Sequence, residues 1–88
     1  MTQKQKAEQY TKLINNIKWH YEYHLERIDE DITRYKERYN FNRYKCHEWN
    51  NYCEGHIHAF GKLLGYKHEK IVKDIEAIYN KHFEELSA

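Results

Sequence analysis

An 88-residue chain can close around one modest core and leaves much of its surface wet, so a second independent domain is not expected. With 33% of residues charged and 40% apolar, the chain is too hydrophobic for obligate disorder and too charged for deeply buried helices. A formal charge of +1 excludes a global electrostatic bias toward nucleic acid or membrane and leaves only local ones.

Proline is absent, and Gly55, Gly61 and Gly65 fall close together, so nearly the whole chain lacks helix breakers. The expected fold is all-α: a single helical domain over residues 1–88, built as a small bundle of three helices at about 5–39, 43–64 and 67–86. A long first helix would pack on a hairpin of the second and third.

Along the first helix, Tyr10, Ile14, Ile17, Tyr21, Leu25, Ile28, Ile32, Tyr35 and Tyr39 recur at steps of three or four, the stripe of one buried face. Glu8 with Lys12 and Glu30 with Arg34 are favourable pairs on the solvated side, whereas Glu22, Glu26 and Glu30 form a like-charge row. Asp29, Glu30 and Asp31 suit a first helical turn, so a break there is the alternative to one continuous helix. Asn40-Phe41-Asn42 is the turn candidate, because asparagine tolerates left-handed geometry and caps a following helix.

The second stripe runs through Cys46, Trp49, Cys53, His56, Phe60 and Leu63 or Leu64 and ends at Gly65, a C-terminal glycine cap. Gly55 and Gly61 inside this helix point to close approach of a neighbour or a local bend. Ile71, Ile75, Ile78, His82 and Leu86 mark the third face, widened by Val72, Tyr79 and Phe83. A first helix of roughly 45 to 52 Å outruns partners of roughly 33 and 30 Å, so part of its stripe must meet a second copy, another protein, or its own folded-back end. A homo-oligomer, a homodimer in the simplest case, is the expectation.

Positive charge is concentrated at the junction Arg34-Tyr35-Lys36-Glu37-Arg38-Tyr39-Asn40-Phe41-Asn42-Arg43-Tyr44-Lys45, where five basic residues face one acidic. Arginine and interleaved rings anchor protein interfaces, and the same groups neutralise phosphates and stack on bases. Arg34, Tyr35, Lys36, Arg38, Tyr39, Phe41, Arg43, Tyr44 and Lys45 are therefore the candidate partner-binding residues, joined by Trp19 and Tyr23, large rings off the main stripe. Replacing Arg38 and Arg43 with glutamate is expected to cost binding and not stability.

Seven histidines invite a metal reading: His20 and His24 on one helix could face Cys53 and His56 on the next. No C-x2-C or H-E-x-x-H element accompanies them, so the expectation is no metal and no cofactor. His47, His58 and His68 have no stripe-mates and are expected at the surface. Cys46 and Cys53 would lie two helical turns apart, about 10 Å, too far for a mutual disulfide, and are expected as inert free thiols. No phosphate loop or nucleophile motif stands out, and an enzyme is not expected.

No stretch reaches the ~20 apolar residues of a bilayer span, and the first nine residues are polar, so a cytoplasmic location is expected. A Tyr-, Asn-, Lys- and Ile-rich composition is compatible with small accessory proteins of phages and mobile elements, many of which inhibit host machinery. The leading expectation is a non-enzymatic inhibitor or regulator docking on a host protein, with nucleic-acid-handling proteins among the candidate hosts. The alternatives are a dimeric DNA- or RNA-binding regulator using the same junction, and a His/Cys structural metal protein.

Overall fold

The computed structural model describes residues 2–83, and the expected continuation of the last helix to residue 86, with Leu86 on its stripe, lies outside them. The chain is all-helical, with four helices and no strand among the described residues: α1 (Gln3–Tyr35), α2 (Arg43–Trp49), α3 (Asn51–Leu63) and α4 (His68–His82). No helix among the described residues is long and apolar enough to cross a membrane.

Thr2 opens α1 with a capping box, its hydroxyl accepting from the Gln5 amide while the Gln5 side chain accepts from the Thr2 amide. The helix runs unbroken through Asp29–Asp31; Asp29 binds Lys81 and His82 of α4, and Asp31 lies 3.6 Å from Arg27, one turn earlier in α1. It ends at Tyr35, short of Tyr39. A turn over residues 36–40 follows, with Asn40 in the left-handed region at φ 51° and Asn42 capping α2 by accepting from the Lys45 amide.

The expected single second helix is divided at Asn50, which brings the helix count to four. Asn50 is buried, and both its backbone amide and its side-chain Nδ2 donate to the Cys46 carbonyl. The backbone bond is the helix's own, but the side chain takes a second share of the same carbonyl, and at φ −96° and ψ 10° Asn50 leaves helical geometry between α2 and α3.

Helix α3 runs antiparallel to α1, with Phe60 against His20 and His56 against His24, and α4 returns alongside both. Tyr21, Ile28 and Ile32 of α1 meet Cys46, Ile57, Ile71, Ile75, Tyr79 and Phe83 in one buried core. Its two tyrosine hydroxyls are satisfied by carboxylates, Tyr21 donating to Asp74 at 2.6 Å and Tyr79 to Glu54 at 2.9 Å.

Gly61 is where α3 touches both neighbours. A Cβ there would fall 2.7 Å from Ile71 Cδ1 and 3.1 Å from Tyr21, both buried, whereas nothing lies within 4 Å of one at Gly55. Gly65, at φ 80°, closes the end of α3 and hands the chain to α4. Gly61→Ala is accordingly expected to destabilise the protein by about 1–3 kcal/mol through overpacking, despite alanine's better helix propensity. Gly55→Ala should stabilise it by about 0.5–1 kcal/mol, and denaturant melts of the two variants check the contrast.

Candidate functional site

Where α1 runs out, four rings gather. Tyr35 and Tyr39 lie 5.7 Å apart, Tyr39 stacks on Phe41 at 5.7 Å and on Trp49 at 6.1 Å, and Trp49 also packs on Tyr35 and Phe41. Phe41 and Tyr35 are half-buried, but Trp49 remains 52% and Tyr39 48% exposed. Arg34 and Arg38 lay their guanidinium groups over Tyr35 and Tyr39 at 5.9 and 5.5 Å and have no ion-pair partner among the described residues.

The junction's five cations divide into two sets. Lys36 donates to the His82 carbonyl at 2.7 Å and sits over the Phe83 ring. Arg43 pairs with Glu76, donates to Asn80 and lies over Tyr79. These two bind α4 to the end of α1 and the start of α2. Arg34, Arg38 and Lys45 face solvent, as does Tyr44, 70% exposed. Arg43 is thus a bundle-holding residue, and the premise that its charge is merely superficial does not hold.

A second aromatic group lies higher on the same side of the molecule. Trp19 and Tyr23 stack at 5.2 Å, Tyr23 abuts His24, His24 stacks on His56, and Tyr52 packs edge-on against His56. A groove of about 320 Å³ joins the two groups, lined by Tyr23, His24, Arg27, Asp31, Trp49, Asn50, Tyr52 and Cys53. Trp49, Tyr52 and Arg27 belong to this surface, although the sequence reading does not place them among the partner-binding residues. Trp49 had been placed on a core stripe whose phase the Asn50 bend shifts. Tyr52 carried one usable signal, its four-residue spacing to His56.

The histidines serve as seams between helices. His24 and His56 lie parallel at 4.9 Å, His58 and His68 stack at 5.4 Å, and His47 stacks on Tyr79 at 3.9 Å with Nδ1 3.2 Å from the Glu54 carboxylate. Of the three expected at the surface, His68 is exposed while His47 and His58 are half-buried, and all three are engaged in ring stacking. Among the described residues no three His, Cys, Asp or Glu side chains gather to hold a metal ion. His20, His24 and His56 are used in ring stacking, and Cys53 borders the groove. Both cysteines are free thiols, and burial pushes each above its ordinary pKa, away from the reactive thiolate.

His24 carries a buried Nδ1 without a hydrogen-bond partner, and burial, then the neighbouring His56, His20 and Arg27, lower its pKa below 6.5. A base that binds protons less tightly folded than unfolded contributes full stability above about pH 6.5 and loses it as the pH falls toward the folded value. The carboxylates held below their ordinary 3.8, Asp29 and Asp74, act only in a separate, more acidic window. The melting temperature is expected to fall between pH 7.5 and 5, and His24→Phe, which keeps the ring stack, to flatten that slope. Comparison with known proteins adds no analogue to this surface: no protein family, curated protein or solved structure matches the chain.

Proposed function

We propose that the protein is a non-catalytic, stoichiometric binder that docks on another protein through this aromatic and arginine surface and so inhibits or redirects it. The observation that carries the reading is the half-exposed Tyr39–Trp49 stack flanked by Arg34 and Arg38, two guanidinium groups with no ion-pair partner among the described residues. Exposing such rings costs solvation without helping the core, and Trp, Tyr and Arg are the residues on which interface energy concentrates. From Trp19 to Tyr35 the surface follows α1 for roughly 24 Å and continues into the turn that carries Arg38, a length suited to the ~800 Å² that each partner contributes to a standard protein interface. Catalysis plays no part in this reading, in which both thiols are packing groups that burial raises above their ordinary pKa. A cytoplasmic host protein fits as the partner, and self-association through the first half of α1 completes the proposal.

The second reading is single-stranded nucleic acid, favoured by the near-parallel Tyr39–Phe41 and Tyr39–Trp49 pairs, each at 26°, whose exposed ring faces could receive bases. It ranks below the first because Glu37 and Glu48 stand in sequence beside the three free cations, Arg34, Arg38 and Lys45.

Arg34→Glu/Arg38→Glu should melt as the wild type does and bind the partner, recovered from source cells and titrated by calorimetry, at least about tenfold more weakly. Arg43→Glu should instead lose about 1–2 kcal/mol of stability by setting a carboxylate against Glu76. Unchanged affinity in both the arginine double variant and Trp49→Ala would place the functional surface elsewhere. Binding to single-stranded oligonucleotides that collapses as salt rises would favour the second reading.

A further inference from the structure

We infer that the partner segment docking on this surface is acidic at one end and apolar at the other: two carboxylates pair with Arg34 and Arg38 while one bulky apolar side chain enters the groove beside Trp49. The inference rests on the docking just proposed and specifies the chemistry of the segment that docks.

Lys36, Arg43 and Lys81 each bind an acceptor on another helix, and Arg27 lies 3.6 Å from Asp31. Arg34 and Arg38 have no such acceptor among the described residues, although Glu30 stands one turn before Arg34 and Glu37 adjoins Arg38 in sequence. Each is exposed and lies over a tyrosine ring instead. A ring contact uses the charge of a guanidinium but none of its N–H donors, so the fork that takes a carboxylate in two parallel bonds stays open.

The Tyr39 amide donates to the Tyr35 carbonyl at 3.0 Å, as in one more helical turn. Arg34 and Arg38 are therefore spaced by roughly 6 Å along the axis. Two carboxylates four residues apart on a helix, or two apart on a strand, match that interval.

The groove lies between α1, which supplies Tyr23, Arg27 and Asp31, and the Asn50 bend, where Trp49 and Tyr52 stand. At about 320 Å³ it is at the small end of ligand cavities and has room for one large side chain. Its own charges, Arg27 and Asp31, already face each other, so an apolar group suits it and a charged one does not. Arg27 precedes Arg34 by two turns of α1, which places the apolar side chain roughly 10 Å from the nearer carboxylate.

Charge complementarity selects the class of partner. Glu30 and Glu37, adjoining the arginines in sequence, oppose a continuous run of phosphates, whereas two discrete carboxylates need only the two guanidinium groups.

The probe is a synthetic copolymer of glutamate and tyrosine, titrated by NMR against the isotope-labelled full chain, with polyglutamate and oligothymidylate as comparators. The copolymer is expected to shift the signals of Arg34, Arg38 and the Trp49 indole, and Arg34→Gln/Arg38→Gln to weaken it at least about tenfold. Lys4→Glu/Lys6→Glu removes twice as much charge from exposed positions of α1 and should change binding by less than about twofold. Trp49→Ala, and Tyr52→Ala at a 75% exposed position, should each reduce the copolymer to the affinity of polyglutamate. Absence of those shifts, equal binding by the arginine variant, a larger loss in the lysine variant, polyglutamate binding as tightly as the copolymer, or oligothymidylate binding more tightly overturns the inference. The partner recovered from source cells separates it from the docking proposal. A partner lost on Trp49→Ala but held by Arg34→Gln/Arg38→Gln overturns the acidic segment alone, and one indifferent to both overturns the docking as well.

Discussion

Three helices converge where one of them has no side chain. At Gly61, α3 lets Ile71 of α4 and Tyr21 of α1 come to within contact of its backbone, and the rest of the packing is set from that point. Tyr21 lies near enough to α4 to donate to Asp74, which Lys70 also binds, while Lys70 sits over the rings of Tyr21 and Tyr66. At the far end the corresponding anchor is Tyr79, buried under Arg43 and His47 and donating to Glu54. Between these two polar fixings the isoleucines fill the core. An arrangement with so few large apolar groups depends on tyrosine for volume, and each buried hydroxyl then requires a carboxylate partner.

That dependence explains which parts of the fold were legible in the sequence. The α1 stripe, the turn asparagines and the terminal glycine of α3 each follow from a local rule, spacing for the first and backbone geometry for the others. The division at Asn50 does not. It needs a buried amide bonding to a carbonyl one turn back, which a sequence pattern cannot distinguish from an exposed asparagine within a helix. Missing that bend misphased the second stripe, so Ile57, fully buried, was passed over in favour of His56, and Trp49 was assigned inward when it faces out. The basic junction was visible as composition, but its division into bundle-holding and free cations was not, because Glu76 and Asn80 lie more than thirty residues from Arg43.

The histidines show the same limit from another side. Their number suggested metal chemistry, whereas their contacts are those of flat, moderately polar rings suited to helix seams. A histidine can stack like phenylalanine and still tolerate partial exposure, which a narrow bundle of this charge content needs at nearly every inter-helix contact.

Because α1 is one unbroken helix, it ties the exposed residues 2–13 to the aromatic surface in rotation as well as in distance. Each added or deleted residue between Ile17 and Trp19 would turn one face against the other by about 100° and displace it by about 1.5 Å. The two surfaces thus share a phase, as two keys cut on one shaft do. Variation in the length of this helix would be tolerated in steps of about seven residues, two nearly whole turns, long before it would be tolerated in steps of one or two.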